Sequence, residues 1–218
     1  MKTEILIPES LEEITLEQYQ KFVAIEEPTT EDSLSVFLKL TLDQINNIKS
    51  SEVDRLTHHV NSLFEEKQQH QLRFKLDGTE FGFIPKLDDI TYGENKDITT
   101  YLNDWKDMHK AMAVLYRPIK QKQGNKYLIV DYKGSAEYSE LMKRMPLSVV
   151  MGSMVFFYHL TNELLKAIPN YLEKVTEKQL MKGQISEENG EVIKKLIPSL
   201  KEMLEDMTKL QDYHYINA

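Results

Sequence analysis

The chain has 218 residues, 41% of them hydrophobic and 28% charged, which is ordinary for a globular protein with room for a real core. Its formal net charge of −8 excludes a protein whose main partner is nucleic acid, because neutralising phosphates takes a surplus of Lys and Arg. The absence of cysteine excludes disulfides, thiolate zinc sites and cysteine nucleophiles together.

The opening residues, MKTEILIPESLEE, hold neither a long apolar run nor a small-residue cleavage site, so no signal peptide and an intracellular protein are expected. Thr3 to Ile7 is a short strand candidate stopped by Pro8. Thr15 and Gln18 then form a capping box, and the helix behind it is expected to bury Leu16, Tyr19, Phe22 and Val23. Pro28 ends that helix. A second starts at Thr30 or Asp32 with Leu34, Val36, Phe37 and Leu40; a third follows Thr41. Ser51 opens a fourth, with Val53, Leu56, Val60, Leu63 and Phe64 on one stripe, so the first 70 residues read as a small helical bundle.

The period then changes from helical to alternating. Leu72, Phe74 and Leu76 alternate with Arg73 and Lys75, and Asp77-Gly78 leads into Thr79 to Ile84. Asp-Gly between alternating runs signals a hairpin, over about 71–84, because a type I′ turn needs positive φ at both central residues. Helix resumes at Glu94 or Asp97, carries Ile98, Tyr101, Leu102 and Trp105, continues or restarts through Met108, Met112, Leu115 and Tyr116, and ends before Pro118. A second hairpin is expected over about 119–132 around Gly124-Asn125. Its returning strand, 126–132, is fairly apolar on both faces, which fits either two-sided burial or an edge that pairs with another chain. Lys120, Lys122 and Lys126 form the one local basic face, read as a solvated hairpin tip.

After a short helix with Leu141, Met142 and Met145, the run LSVVMGSMVFFYHLTNELL at 147–165 is apolar on nearly every side. Its apolar stretch, Val149 to Leu160, is shorter than the about 20 apolar residues a bilayer span needs, so a buried central helix over about 148–165 is expected and no membrane association. Pro169 is expected to divide it from an amphipathic piece. The polar break at 183–190 sets the expected domain boundary: one mainly helical domain over 1–182, then a C-terminal amphipathic arm over 183–218. The arm's stripe, Ile193, Leu196, Leu200, Met203, Leu204, Met207 and Leu210, is the candidate partner-binding surface, long enough to dock into a groove or pair with itself. The fold class is therefore α+β, predominantly helical with two short β-hairpins.

Chemistry is hard to find. Among the six histidines no spacing suits a metal, and His159 sits in the apolar run as a core residue. Asp88, Asp89 and Glu94 flank a glycine loop, but acids there are better read as a helix start, where they suit the positive end of the dipole. Arg117 is read as meeting the last carbonyls of the preceding helix. No glycine-rich phosphate loop, nucleophile elbow or zinc-protease motif is present. No catalytic residue, metal or cofactor is assigned.

The order FGFIPKLDDITYGENKDITTYLNDW, MHKAMAVLYRPI, KYLIVDYKG and MPLSVVMGSMVFFYHLTNELL, with the opening IPESLEEITLEQYQKF, resembles a group of small proteins from the structural gene clusters of tailed bacteriophages, some of them similar to tail assembly chaperones. The resemblance covers about residues 4–175. It implies a non-enzymatic tail assembly factor in the host cytoplasm, holding another tail protein, foremost the tape-measure protein, through apolar helical surface. It also leaves room for a homo-oligomer. One alternative is a virion subunit, such as a connector or baseplate component, whose strand at 126–132 pairs between copies. Another is an enzyme with a scattered site around Asp88, Asp89, Glu94 and His109.

Overall fold

The computed structural model describes residues 5–181; in the last helix only the backbone is described at 161, 164–173, 175–177 and 179–181. The expected C-terminal arm, its boundary at 183 and its stripe from Ile193 to Leu210 lie outside the described residues. The chain divides into two units, one ending at Val155 and one beginning at Phe156.

The first unit opens with four helices: α1 (Leu16–Val23), α2 (Thr30–Leu38), α3 (Leu42–Asn46) and α4 (Ser50–Glu65). Capping boxes start the first three, at Thr15/Gln18, Thr29/Asp32 and Thr41/Gln44, each satisfying free amides reciprocally. Tyr19, Phe22, Phe37 and Phe64 hold this bundle together through a run of ring contacts, and the ring of Trp105 closes edge-on over Tyr19 at 4.6 Å. Val23, expected inside, is exposed because α1 ends there.

The two hairpins join into one antiparallel sheet, β1-β2-β3-β4, formed by β1 (Arg73–Leu76), β2 (Thr79–Phe83), β3 (Tyr116–Gln123) and β4 (Lys126–Ile129). The first turn has positive φ at both Asp77 (49°) and Gly78 (78°), as a type I′ turn requires. In the second only Gly124 is positive (60°), the pattern of type II′. Ile5 to Ile7, expected as a strand, pairs with nothing among the described residues.

Between the hairpins lie α5 (Tyr92–Tyr101) and α6 (Met108–Leu115). Every residue of α6 except Lys110 is buried, so the helix enclosed on all sides is this one. The helix ends at Leu115 and the chain enters β3 directly. Phe74, Phe81, Phe83 and Tyr116 gather on the inner face of the sheet, in stacked and edge-on pairs 5.2–5.6 Å apart.

After α7 (Ser139–Met142), α8 runs from Leu147 to Met181 without a break. The proline at 169 therefore does not divide it: a proline deletes one backbone bond and strains one turn, and the helix continues on either side. The first amides of α8 are capped by backbone: Leu147 and Ser148 donate to the carbonyls of Ile14 (2.8 Å) and Leu11 (3.2 Å). Leu147, Val149, Val150, Gly152 and Ser153 are buried. Gly152 sits where the backbone of residues 69–70 crosses the helix; a Cβ there would stand 2.2 Å from the Gln69 carbonyl oxygen. From Met154 to Tyr158, and at Leu160, the side chains are only half-buried, and His159 is exposed rather than in the core.

Candidate functional site

The four polar residues of the enzyme alternative do not meet. Asp88 and Asp89 are exposed in a 3-10 turn, Leu87–Asp89. Glu94 is the third residue of α5 and completes a capping box with Thr91, as the helix-start reading expects. It also does more, since its second carboxylate oxygen meets the guanidinium of Arg117. Both side chains are buried, at 4% and 6% exposure for the two residues. The expectation that Arg117 closes the preceding helix is thus corrected: Arg117 lies in β3, and 23 residues separate it from its partner. No local signal announces such a pair.

The pair anchors α5 to the start of β3. Arg117 also lies under the ring of Tyr132, 5.5 Å from its centroid, and the Tyr132 hydroxyl donates to Asp97 on α5. Burial, and then the neighbouring Asp97, push the Tyr132 hydroxyl's pKa up. Tyr116, one residue before Arg117, places its hydroxyl 2.7 Å from the Gln71 carbonyl and 2.8 Å from Ser153 Oγ on α8. The first three residues of β3 are thereby fixed by α5, β2 and α8.

His109, on α6, faces α1. Gln20 Nε2 donates to the carbonyls of Trp105 (2.6 Å) and Lys106 (3.0 Å) and stands 3.0 Å from His109 Nδ1. The two hydrogens of this amide are matched by the two carbonyls, and the imidazole lies beside them at contact distance. Burial, helped by the charges of Lys143 and Lys110, pushes the imidazole's pKa down. Beside it opens a recess of about 640 Å³ between α1 and the start of α6, with Lys21, Trp105, Lys106 and Lys143 in its walls. Among the described residues no group of three or more His, Asp or Glu side chains is placed to hold a metal ion.

The far half of the second hairpin is of a different kind. Only Tyr116 to Pro118 pair with β2; from Ile119 on, β3 has β4 alone beside it. The register shifts between Ile119 and Gln121, and such an irregularity bends a strand pair. The bend lays Tyr127 across Gly82, where a Cβ would come within 2.5 Å of the ring, and the Tyr127 hydroxyl donates to the Phe83 carbonyl at 2.8 Å. Lys122 meets Glu80, holding that carboxyl below its usual pKa range. Lys120 pairs with Asp131 at 2.9 Å. Beyond these contacts, Gln121, Gln123, Lys126 and Leu128 are exposed, and β4 is the edge strand.

Compared with family models, curated proteins and solved structures, the chain matches none. Among the described residues no helix is long and apolar enough to cross a membrane.

Proposed function

We propose that this chain is a non-enzymatic assembly factor of tailed bacteriophages, similar to a tail assembly chaperone, that holds another tail protein through apolar helical surface in the host cytoplasm. The tape-measure protein is the first candidate. The observation that carries the reading is the change of burial along α8: full burial at Leu147, Val149 and Val150 gives way to half-burial at Met154, Val155 and Leu160, in an apolar sequence. Apolar surface of this kind, rich in adaptable methionine, suits a partner that must be kept soluble before it assembles. The resemblance of residues 4–175, roughly, to phage structural-cluster proteins supplies the identity of that partner.

The test is a tagged pull-down from infected cells with the purified particles analysed in parallel. A long helical tail protein with the bait, and no bait in particles, is the expected result. A host protein as the sole partner would refute the reading. A second reading, a virion subunit, is favoured by the open edge at β4; it requires the bait in particles at a fixed ratio to the other tail proteins.

A further inference from the structure

We propose that the β4 edge accepts an extended strand from a second copy of this chain, and that the strand is the segment Ile5–Ile7 with its neighbours. Two unfilled features match each other. The first is β4 itself, with Leu128 53% exposed in mid-strand. The Val130 amide donates inward to the Pro118 carbonyl at 2.9 Å. Alternation along an antiparallel strand then turns the backbone of Tyr127 and Ile129 to the open side. The second is Leu6, 89% exposed, in a Thr3–Ile7 sequence of strand character. Pro8 behind it is buried, and its carbonyl lies 2.8 Å from His59 Nε2, so the segment leaves the body from a fixed point.

Length and charge agree. A three- to five-residue donor suits an edge of four residues. With Leu6 level with Leu128, Ile5 and Ile7 stand opposite Tyr127 and Ile129, where the outward backbone groups are. In the parallel direction this register sets the sequence position of Glu4 level with Lys126, which has no ion-pair partner among the described residues. The other edge is less suitable: the two exposed residues of β1, Arg73 and Lys75, are both charged. Natural edges are commonly blunted by charge, and β4 carries that device only at Lys126.

The inference does not rest on the phage reading. A self-associating chain with no tail partner leaves it standing, and a tail partner bound to a chain that never self-associates refutes it alone. The test uses the absence of cysteine. Full-length Leu6→Cys and Leu128→Cys variants are mixed under mild oxidation. Strand neighbours stand about 4.5–5.5 Å apart at Cα, within disulfide range. A mixed disulfide between the two variants, well above either self-disulfide, is expected. In light scattering the native chain should self-associate with concentration, and Leu6→Asp and Leu128→Asp should each abolish this with unchanged circular dichroism. A chain monomeric at every concentration overturns the proposal. So does association that survives either Asp variant, which would point to a symmetric β4–β4 contact or to another surface.

Discussion

The two hairpins are close in kind and opposite in use. The first, β1–β2, turns Phe74, Leu76, Phe81 and Phe83 into the core and keeps its charges on the other face. The second begins as core, at Tyr116 and Arg117, and ends as surface, with Lys126 and Leu128 exposed. The difference comes from what covers each. The aromatic cluster of Phe74, Phe81, Phe83 and Tyr116 ties the first hairpin to the start of β3. Past the register shift at Ile119 the second hairpin is held by contacts that reach back to the sheet: Tyr127 on Gly82, the Tyr127 hydroxyl at the Phe83 and Leu72 carbonyls, and Lys122 to Glu80. A strand's period thus tells that it is a strand, while its layer is set by residues far away in sequence.

The largest effect is expected at the buried start of β3. Glu94→Ala leaves Arg117 as an uncompensated buried charge and should cost about 3–5 kcal/mol, read as a shift in denaturant midpoint. A paired replacement of Glu94 and Arg117 by apolar residues should cost much less. If the single and the paired change cost the same, the ion pair is not what fixes this end. Where the hairpins meet, Gly82→Ala drives a methyl into the Tyr127 ring and should cost about 1–3 kcal/mol. Added to Tyr127→Ala, which opens the space, the same change should become nearly neutral.

A smaller effect is a pH dependence. Glu80 has its carboxyl pKa lowered by Lys122, so the folded state holds this proton less readily than the unfolded chain. The stability it contributes is present above the ordinary carboxyl value of 4.5 and is lost as the pH falls through the lower folded value. Glu80→Gln should flatten that part of a stability-against-pH curve; an unchanged slope would show that Lys122 does not hold the second hairpin down. The smallest effect is expected at the tip: Leu128→Asp should leave monomer stability within about 0.5 kcal/mol, as a surface change does.

The sequence made much of this legible. Both hairpins and their turns were readable from alternation and from Asp77-Gly78 and Gly124-Asn125, and the start of the first helix from its capping box at Thr15 and Gln18, because these signals are local. The Glu94–Arg117 pair was not readable, since its members are joined only by the fold. Nor was the exposure of His159 or the unbroken α8. An apolar run tells that a helix wants cover but not where cover ends, and a proline's preference against helix interiors is overridden when both flanks are helical. Ile5 to Ile7 has a strand's composition and no strand partner among the described residues, so in that segment pattern and structure part company. The candidate partner stripe from Ile193 to Leu210 lies outside the described residues.

The most direct measurement is hydrogen exchange on the full chain at low and high concentration. Amides of Tyr127 and Ile129 should gain protection as concentration rises, together with those of Ile5 to Ile7, while Phe81 and Gly82 stay unchanged. Protection at Tyr127 and Ile129 that is independent of concentration would contradict an open edge filled by a second copy, and with it the division of the two hairpins into core and docking edge.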